Sequence, residues 1–176
     1  MKSRTLLAIA LPVALLAAAS TTAAAKGVKV ELKDGQGNSV GTAKIEPVST
    51  GVEIKLDLRG LPPGDHGIHF HQNPKCDPPD FKSAGGHFNP EKRQHGLQNP
   101  QGHHAGDMQN ITVGSNGKVK THVSNNDVTL GPATDAHSLF ANGGTALMIH
   151  AKADDMKTDP SGNSGDRIAC GVIQAK

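Results

Sequence analysis

The residues from His66 to Asp107 read HGIHFHQNPKCDPPDFKSAGGHFNPEKRQHGLQNPQGHHAGD. They hold seven of the chain's ten histidines: His66, His69, His71, His87, His95, His103 and His104. Imidazoles at this density, closed by the carboxylate of Asp107, point to bound metal. In GIHFHQ, successive side chains of a strand alternate between its two faces, so Ile68 and Phe70 face a core while His69 and His71 point together to the other side. Two imidazoles at i and i+2 on a strand form a chelating pair. His87, between Gly86 and Phe88, and His150, at the end of TALMIH, can complete a set of four nitrogens, which suits copper or zinc. A second set uses His95, His104 and Asp107, again with His87, and three nitrogens plus one carboxylate suit tetrahedral Zn²⁺. His87 serves both sets. One imidazole has two ring nitrogens, so His87 can bridge two ions.

The segments that must position these groups are short strands. Val28, Val30 and Leu32 alternate with polar residues up to a turn at Asp34-Gly35-Gln36-Gly37-Asn38. Val52, Ile54, Leu56 and Leu58 alternate again and stop at Gly60-Leu61-Pro62-Pro63-Gly64. Period two bounded by glycine and proline is a strand signature. Further strands are expected at Ile111 and Val113, at Val119, Thr121 and Val123, at Val128 and Leu130, at Thr145 to His150, and at Arg167 to Ile173. About eight such strands predict an all-β sandwich or barrel. Two stretches break the rhythm, Gln72 to Asp107 (36 residues) and Ala151 to Asp166 (16 residues). Loops of this length in a compact domain carry function or are disordered. The first holds the ligand candidates and a cysteine, which favours two long functional loops.

The chain of 176 residues divides into a leader and one domain. Lys2 and Arg4 precede the apolar run LLAIALPVALLAAA, and small residues continue to Ala25, the pattern of a secretory signal peptide over 1–25. The apolar run is short of a membrane span of about 20 residues. Cleavage after Ala25 leaves 26–176, which is 176 − 25 = 151 residues, with no membrane attachment expected. Lys2 and Arg4 leave with the leader, so 18 − 2 = 16 basic residues face 16 acidic ones. A neutral domain with no Trp, no Tyr and four Phe lacks both the basic stripe and the stacking platforms of a nucleic-acid binder. Cys76 and Cys170 are the only cysteines, and pairing is expected in an oxidising exported compartment, periplasmic or extracellular.

The motifs HGIHFH, SAGGHFNPEKRQHG, HHAGD, MIHAKADD and GDRIACGVI, in this order and spacing, resemble the copper–zinc superoxide dismutases of the secreted bacterial kind across essentially all of 26–176. The resemblance implies an eight-stranded Greek-key β-barrel, and this family is itself a standard example of sandwich architecture. It implies one copper at His69, His71, His87 and His150, and one zinc at His87, His95, His104 and Asp107. It further implies a carboxylate at Asp154 hydrogen-bonded to ligands of both metals, an anion-guiding Arg167, a structural His66 beneath the copper site, and a Cys76–Cys170 disulfide. The implied reaction turns superoxide into dioxygen and hydrogen peroxide through alternating reduction and reoxidation of copper, with His87 and Arg167 as the catalytic groups. A homodimer stays open.

Around this reading stand several residues outside the motifs. Lys152 and Lys157 are candidates to steer the anion, with solvated surface as the plainer account. The pattern H-x-x-D selects His104 over its neighbour His103. His122 and His137 belong to surface or core packing, and Ser161 stands where the family has a threonine at the channel rim. Two other functions compete. A non-catalytic copper- or zinc-binding module of the same fold would show a substituted copper ligand or arginine, and none is seen. A zinc lyase of the carbonic anhydrase kind would have no need of His95, His104 and Asp107 at these spacings.

Overall fold

The computed structural model describes residues 26–175, so the expected signal peptide at 1–25 lies outside them. Among the described residues nine strands run in chain order: β1 Val28–Asp34, β2 Ser39–Pro47, β3 Val52–Arg59, β4 Gly64–His66, β5 Ile68–His71, β6 Ile111–Val113, β7 Lys118–Asn125, β8 Thr145–His150 and β9 Arg167–Ile173. Seven form one antiparallel sheet in the order β5-β8-β9-β1-β2-β3-β7, and β4 pairs with β6. β4 and β5 are one extended segment divided at Gly67, whose halves pair with β6 and β8 respectively. Counted as one, they bring the total to eight. No helix among the described residues is long and apolar enough to cross a membrane.

β3 shows why these segments fold as strands. In VEIKLDLR the side chains of Val52, Ile54, Leu56 and Leu58 are buried, while their neighbours are exposed or partly so. Each such burial contributes about 1.5–3 kcal/mol. Together with Val30, Leu32, Ile45, Ile68, Phe70, Leu147, Ile149 and Ile173 they form one core inside the curled sheet.

Two departures from simple alternation have physical causes. β2 lacks a clean period because the ladder with β1 shifts register between Leu32 and Lys33, which pair with Gly41 and Ser39. Val40 is the extra residue of a bulge, so the buried positions run Val40, Ala43, Ile45. The expected strand at Val128 and Leu130 is instead a single bridge between Thr129 and Ser138. Both apolar side chains still plug the main core, but Gly131-Pro132 ends the extended run at once.

The two long loops are ordered and cover one face of the sheet. Phe81, Ala84, Ala146, Met148 and Cys170 form a second, smaller core there, with Cys76 packed against it. The Cys76–Cys170 disulfide ties the first loop to β9, with a Cα–Cα distance of 5.7 Å.

Candidate metal centre

β5 follows the expected alternation. Ile68 and Phe70 enter the main core, while His69 and His71 face outward yet stay buried because the first loop folds back over them. That loop adds to the open edge of β5. Phe70 N–H donates to Gly106 O (2.9 Å), Phe88 N–H to Phe70 O (2.8 Å), Gly106 N–H to Phe88 O (2.8 Å) and Gln72 N–H to Gly86 O (3.0 Å). Isolated bridges pair His69 with Asp107 and His71 with His87, so the edge ladder sets four candidate ligands side by side. Gly106 is required here, because a Cβ would collide with the Phe70 carbonyl oxygen.

β8 runs beside β5 and delivers His150 at its end on the face of Ala146 and Met148, opposite the core residues Leu147 and Ile149. Arg167 opens β9. Period two from the core residue Ala169 would turn Arg167 inward, but the β8–β9 register shifts between Ile149 and His150. Ile168 is skipped and packs toward the core, and Arg167 lies opposite His150. The bulge re-aims the side chain. Its guanidinium donates to Phe81 O at 2.7 Å and to Gly85 O at 2.6 Å, and Gly85 O also accepts from His71 Nδ1 at 3.0 Å.

Potential ligand atoms converge in two sets. His69, His71, His87 and His150 form one, and His69, His87, His95 and Asp107 form the other, each with its ligand atoms within 4.8 Å of one another. His104 adjoins the second set, its Nδ1 lying 3.3 Å from His87 Nδ1 and 3.4 Å from Asp107 Oδ1. The rings of His69 and His87 stack with centroids 4.0 Å apart, which is why both belong to both sets.

Hydrogen bonds fix which nitrogen of each ring is committed. His69 Nε2 lies 2.7 Å from Asp154 Oδ2, and His95 Nε2 lies 3.0 Å from Asp154 Oδ1. His71 Nδ1 is held by Gly85 O and His150 Nδ1 by Gly165 O (3.2 Å). The atoms left facing inward are His69 Nδ1, His71 Nε2 and His150 Nε2, the last two 3.4 Å apart. His87 is the exception: its Nδ1 lies 2.9 Å from Asp107 Oδ1, while its Nε2 faces the first set. Among the described residues, His69 Nδ1 and His87 Nε2 are the buried side-chain nitrogens with no hydrogen-bond partner. A buried unpaired nitrogen costs about 1–3 kcal/mol unless a ligand completes it.

Electrostatics favour cations here. Burial lowers His69 and His150 to about 4 and His87 to about 3, and pushes His71 well down, so all four are neutral donors at pH 7. Burial also acts to lower His95, but the hydrogen bonds its ring donates to Asp107 and Asp154 outweigh it and raise His95 to about 9. Burial works against ionising Asp107, yet His104, His87 and His95 hold it far below its ordinary range. Asp107 Oδ2 accepts from the backbone N–H of Gly96 (2.9 Å) and His104 (3.0 Å), which leaves Oδ1 to the imidazoles.

Other histidines stand apart. His66 is buried with Nδ1 and Nε2 each 2.8 Å from a carbonyl oxygen, of His150 and Pro62, so it joins neither set. His103 turns away from His104, its Nε2 2.9 Å from Asp127 Oδ2. His122 is exposed beside Glu53, and His137 sits between Asp127 O and Glu91. The open cleft above the first set is lined by His71, His87, His150, Arg167, Ser161 and Lys92, among others. Lys92 lines this cleft, while the stem of Lys152 packs beside Gly165 at its edge.

Asn110 touches the site without any signal in the sequence. Its amide donates to Asp154 O (2.9 Å) and accepts from Asp154 N–H (2.8 Å), clasping the residue that spans the two sets.

The profile of the family described as copper/zinc superoxide dismutase (SODC) matches residues 39–173. The chain belongs to that family. A copper–zinc superoxide dismutase from Aquifex aeolicus is 52% identical over 79% of this chain and 82% of its own length. A double mutant of a superoxide dismutase-like protein from Bacillus subtilis superposes with a TM-score of 0.81 at 42% identity, covering 84% of this chain and 97% of that one. The copper/zinc superoxide dismutase of Brucella abortus gives 0.69 at 30% identity, covering 85% and 100%. These folds agree with the all-β Greek-key architecture found here, and the family carries one copper and one zinc per chain.

Proposed function

We propose that this chain dismutes superoxide at a copper held by His69 Nδ1, His71 Nε2, His87 Nε2 and His150 Nε2, beside a zinc held by His87, His95, His104 and Asp107. The observation that carries the assignment is the pair of buried, unpartnered atoms His69 Nδ1 and His87 Nε2, facing two more imidazoles whose far nitrogens are already bonded. His69 has one nitrogen to give and so serves one ion, and the family resemblance makes that ion copper, with His104 taking its place beside Asp107. His87, His95 and His104 each bring Nδ1 within 3.4 Å of Asp107 Oδ1, a donor set that suits zinc.

When bound, copper supplies the one-electron couple that converts one superoxide to dioxygen and a second, with two protons, to hydrogen peroxide. The chain's own residues do the rest. Arg167, fixed by two loop carbonyls, offers a permanent cation at the cleft for a small anion, and Lys92 adds a second positive charge at the rim. Field focusing of this sort raises anion on-rates, an effect for which this family is itself the usual illustration. His87 Nε2 has a single lone pair, so it would hold a proton for the peroxide product only while it is not serving copper. Asp154, clasped by Asn110, fixes the rings of His69 and His95.

We infer that the mature protein is 26–176 and that it works in an exported compartment. The disulfide suits an oxidising environment, and 1–25 reads as a leader.

The test is elemental analysis of the purified protein with a superoxide-decay assay before and after chelation. Near one copper and one zinc per chain, with activity lost on copper removal and restored by copper, is expected. Zinc alone, with no activity after copper is offered, would sink the catalytic assignment and leave a metal-binding module.

A further inference from the structure

We propose that Asp159 is a positioning residue for zinc, ordering the His95 and His104 half of the ligand set from the second long loop; this rests on the zinc set assigned above. Four imidazoles of the centre have the nitrogen that points away from it within 3.2 Å of a protein oxygen: His69 and His95 on Asp154, His71 on Gly85 O, His150 on Gly165 O. His104 has no such hydrogen bond. The carboxylate its Nε2 faces is Asp159, with Oδ1 at 3.9 Å.

The same oxygen accepts the backbone N–H of His95 at 2.6 Å. One atom of the second loop therefore holds the main chain of one zinc ligand and faces the far ring nitrogen of another. His95 and Asp159 are 64 residues apart, so the contact joins the two loops across the centre. Carboxylate partners of metal-bound histidines set ring orientation and raise ligand basicity, and losing one costs about 10–100-fold in metal affinity. Asp154 has this role toward His69 and His95 by contact, and Asp159 extends it to His104. The Asp159 side chain is 49% exposed, so it acts at the solvent side of the zinc set and not from the core.

A plainer role, capping the His95 N–H alone, makes a different forecast. Asp159→Asn keeps an oxygen acceptor for that N–H but removes the charge facing His104, whereas Asp159→Ala removes both. Zinc Kd on the full mature chain is measured by chelator competition, with copper Kd, a cobalt(II) spectrum of the zinc site and the metal-free Tm followed beside it. Positioning predicts that zinc binding weakens about tenfold in Asp159→Asn and between 10- and 100-fold in Asp159→Ala. In Asp159→Asn copper affinity and the metal-free Tm stay at wild-type values and the cobalt spectrum shifts, whereas Asp159→Ala also loses the His95 N–H acceptor and so lowers the metal-free Tm; Asp159→Glu recovers part of the zinc affinity. Wild-type zinc affinity in Asp159→Asn overturns the proposal. So does equal weakening of copper and zinc together with a fall in the metal-free Tm. Asp107→Ala is the control: if it too binds zinc normally, the zinc set itself is wrong, and if it loses zinc while Asp159→Asn does not, only the role of Asp159 fails.

Discussion

Replacing Cys76 and Cys170 with serine opens a covalent loop spanning 94 positions of sequence. In the chain-entropy account, closing such a loop removes about 16 cal/mol/K from the unfolded ensemble, or about 4.7 kcal/mol at 25 °C. With an unfolding entropy of about 2.1 cal/mol/K per residue, the 150 residues from 26 to 175 convert this to a Tm lower by about 15 °C. The structure adds a local expectation. The bond anchors the loop whose Phe81 and Gly85 carbonyls hold Arg167 and His71, so protection of that loop should fall before protection of β1 to β3. The assay is thermal unfolding of metal-free wild type and Cys76→Ser/Cys170→Ser by circular dichroism, with hydrogen exchange on both. Metal-free protein is used because bound ions would add their own stabilisation. A Tm loss under about 3 °C, or exchange that rises uniformly across the sheet, would refute the idea that this bond orders the loop by closing it.

Four further outcomes are expected. Gly106→Val drives a side chain into the Phe70 carbonyl, which should cost about 1–3 kcal/mol in urea unfolding and weaken both metals by moving the loop from the β5 edge. Asn110→Ala breaks two hydrogen bonds to the Asp154 backbone, so zinc and copper should each bind several-fold more weakly by chelator competition, with the fold intact by circular dichroism. His87→Ala should weaken both sites and Asp107→Ala mainly zinc; a His87→Ala protein that binds both metals normally would remove the bridge. In metal-free protein, His69, His87 and His150 sit at about 4, 3 and 4, below the ordinary 6.5, so the unfolded chain binds more protons and stability falls as pH drops from about 6.5 toward 3. His95, raised to about 9, contributes the opposite slope, losing stability as pH rises from about 6.5 to 9. Urea midpoints should therefore peak near pH 6.5, and a flat profile from pH 4 to 9 would contradict the burial of these rings.

Much of the site is local, and so legible in the chain. The alternation in GIHFHQ sends Ile68 and Phe70 to the core and His69 and His71 to the opposite face, because a strand has period two whatever lies around it. The alternation in VEIKLDLR fixed β3 for the same reason. The two cysteines could only pair with each other. β2 is not legible in the sequence because its bulge at Val40 breaks the period, nor is β4, because three residues are too few to show one.

What the tertiary structure alone decided are relations between distant segments. Arg167 reaches the His150 face only because a bulge at Ile168 changes its parity, and no pattern in RIACGVI announces that. Asn110 and Asp159 are ordinary loop residues in sequence, yet they lie against Asp154, His95 and His104 once the two loops cover the sheet. That Lys92 lines the cleft is likewise decided by the fold, since charge in sequence does not say which way a loop turns. Residue type and period set the donors and the strands that carry them. Which nitrogen of each ring is free depends on carbonyls and carboxylates up to 85 positions away, and only the folded chain brings those into contact.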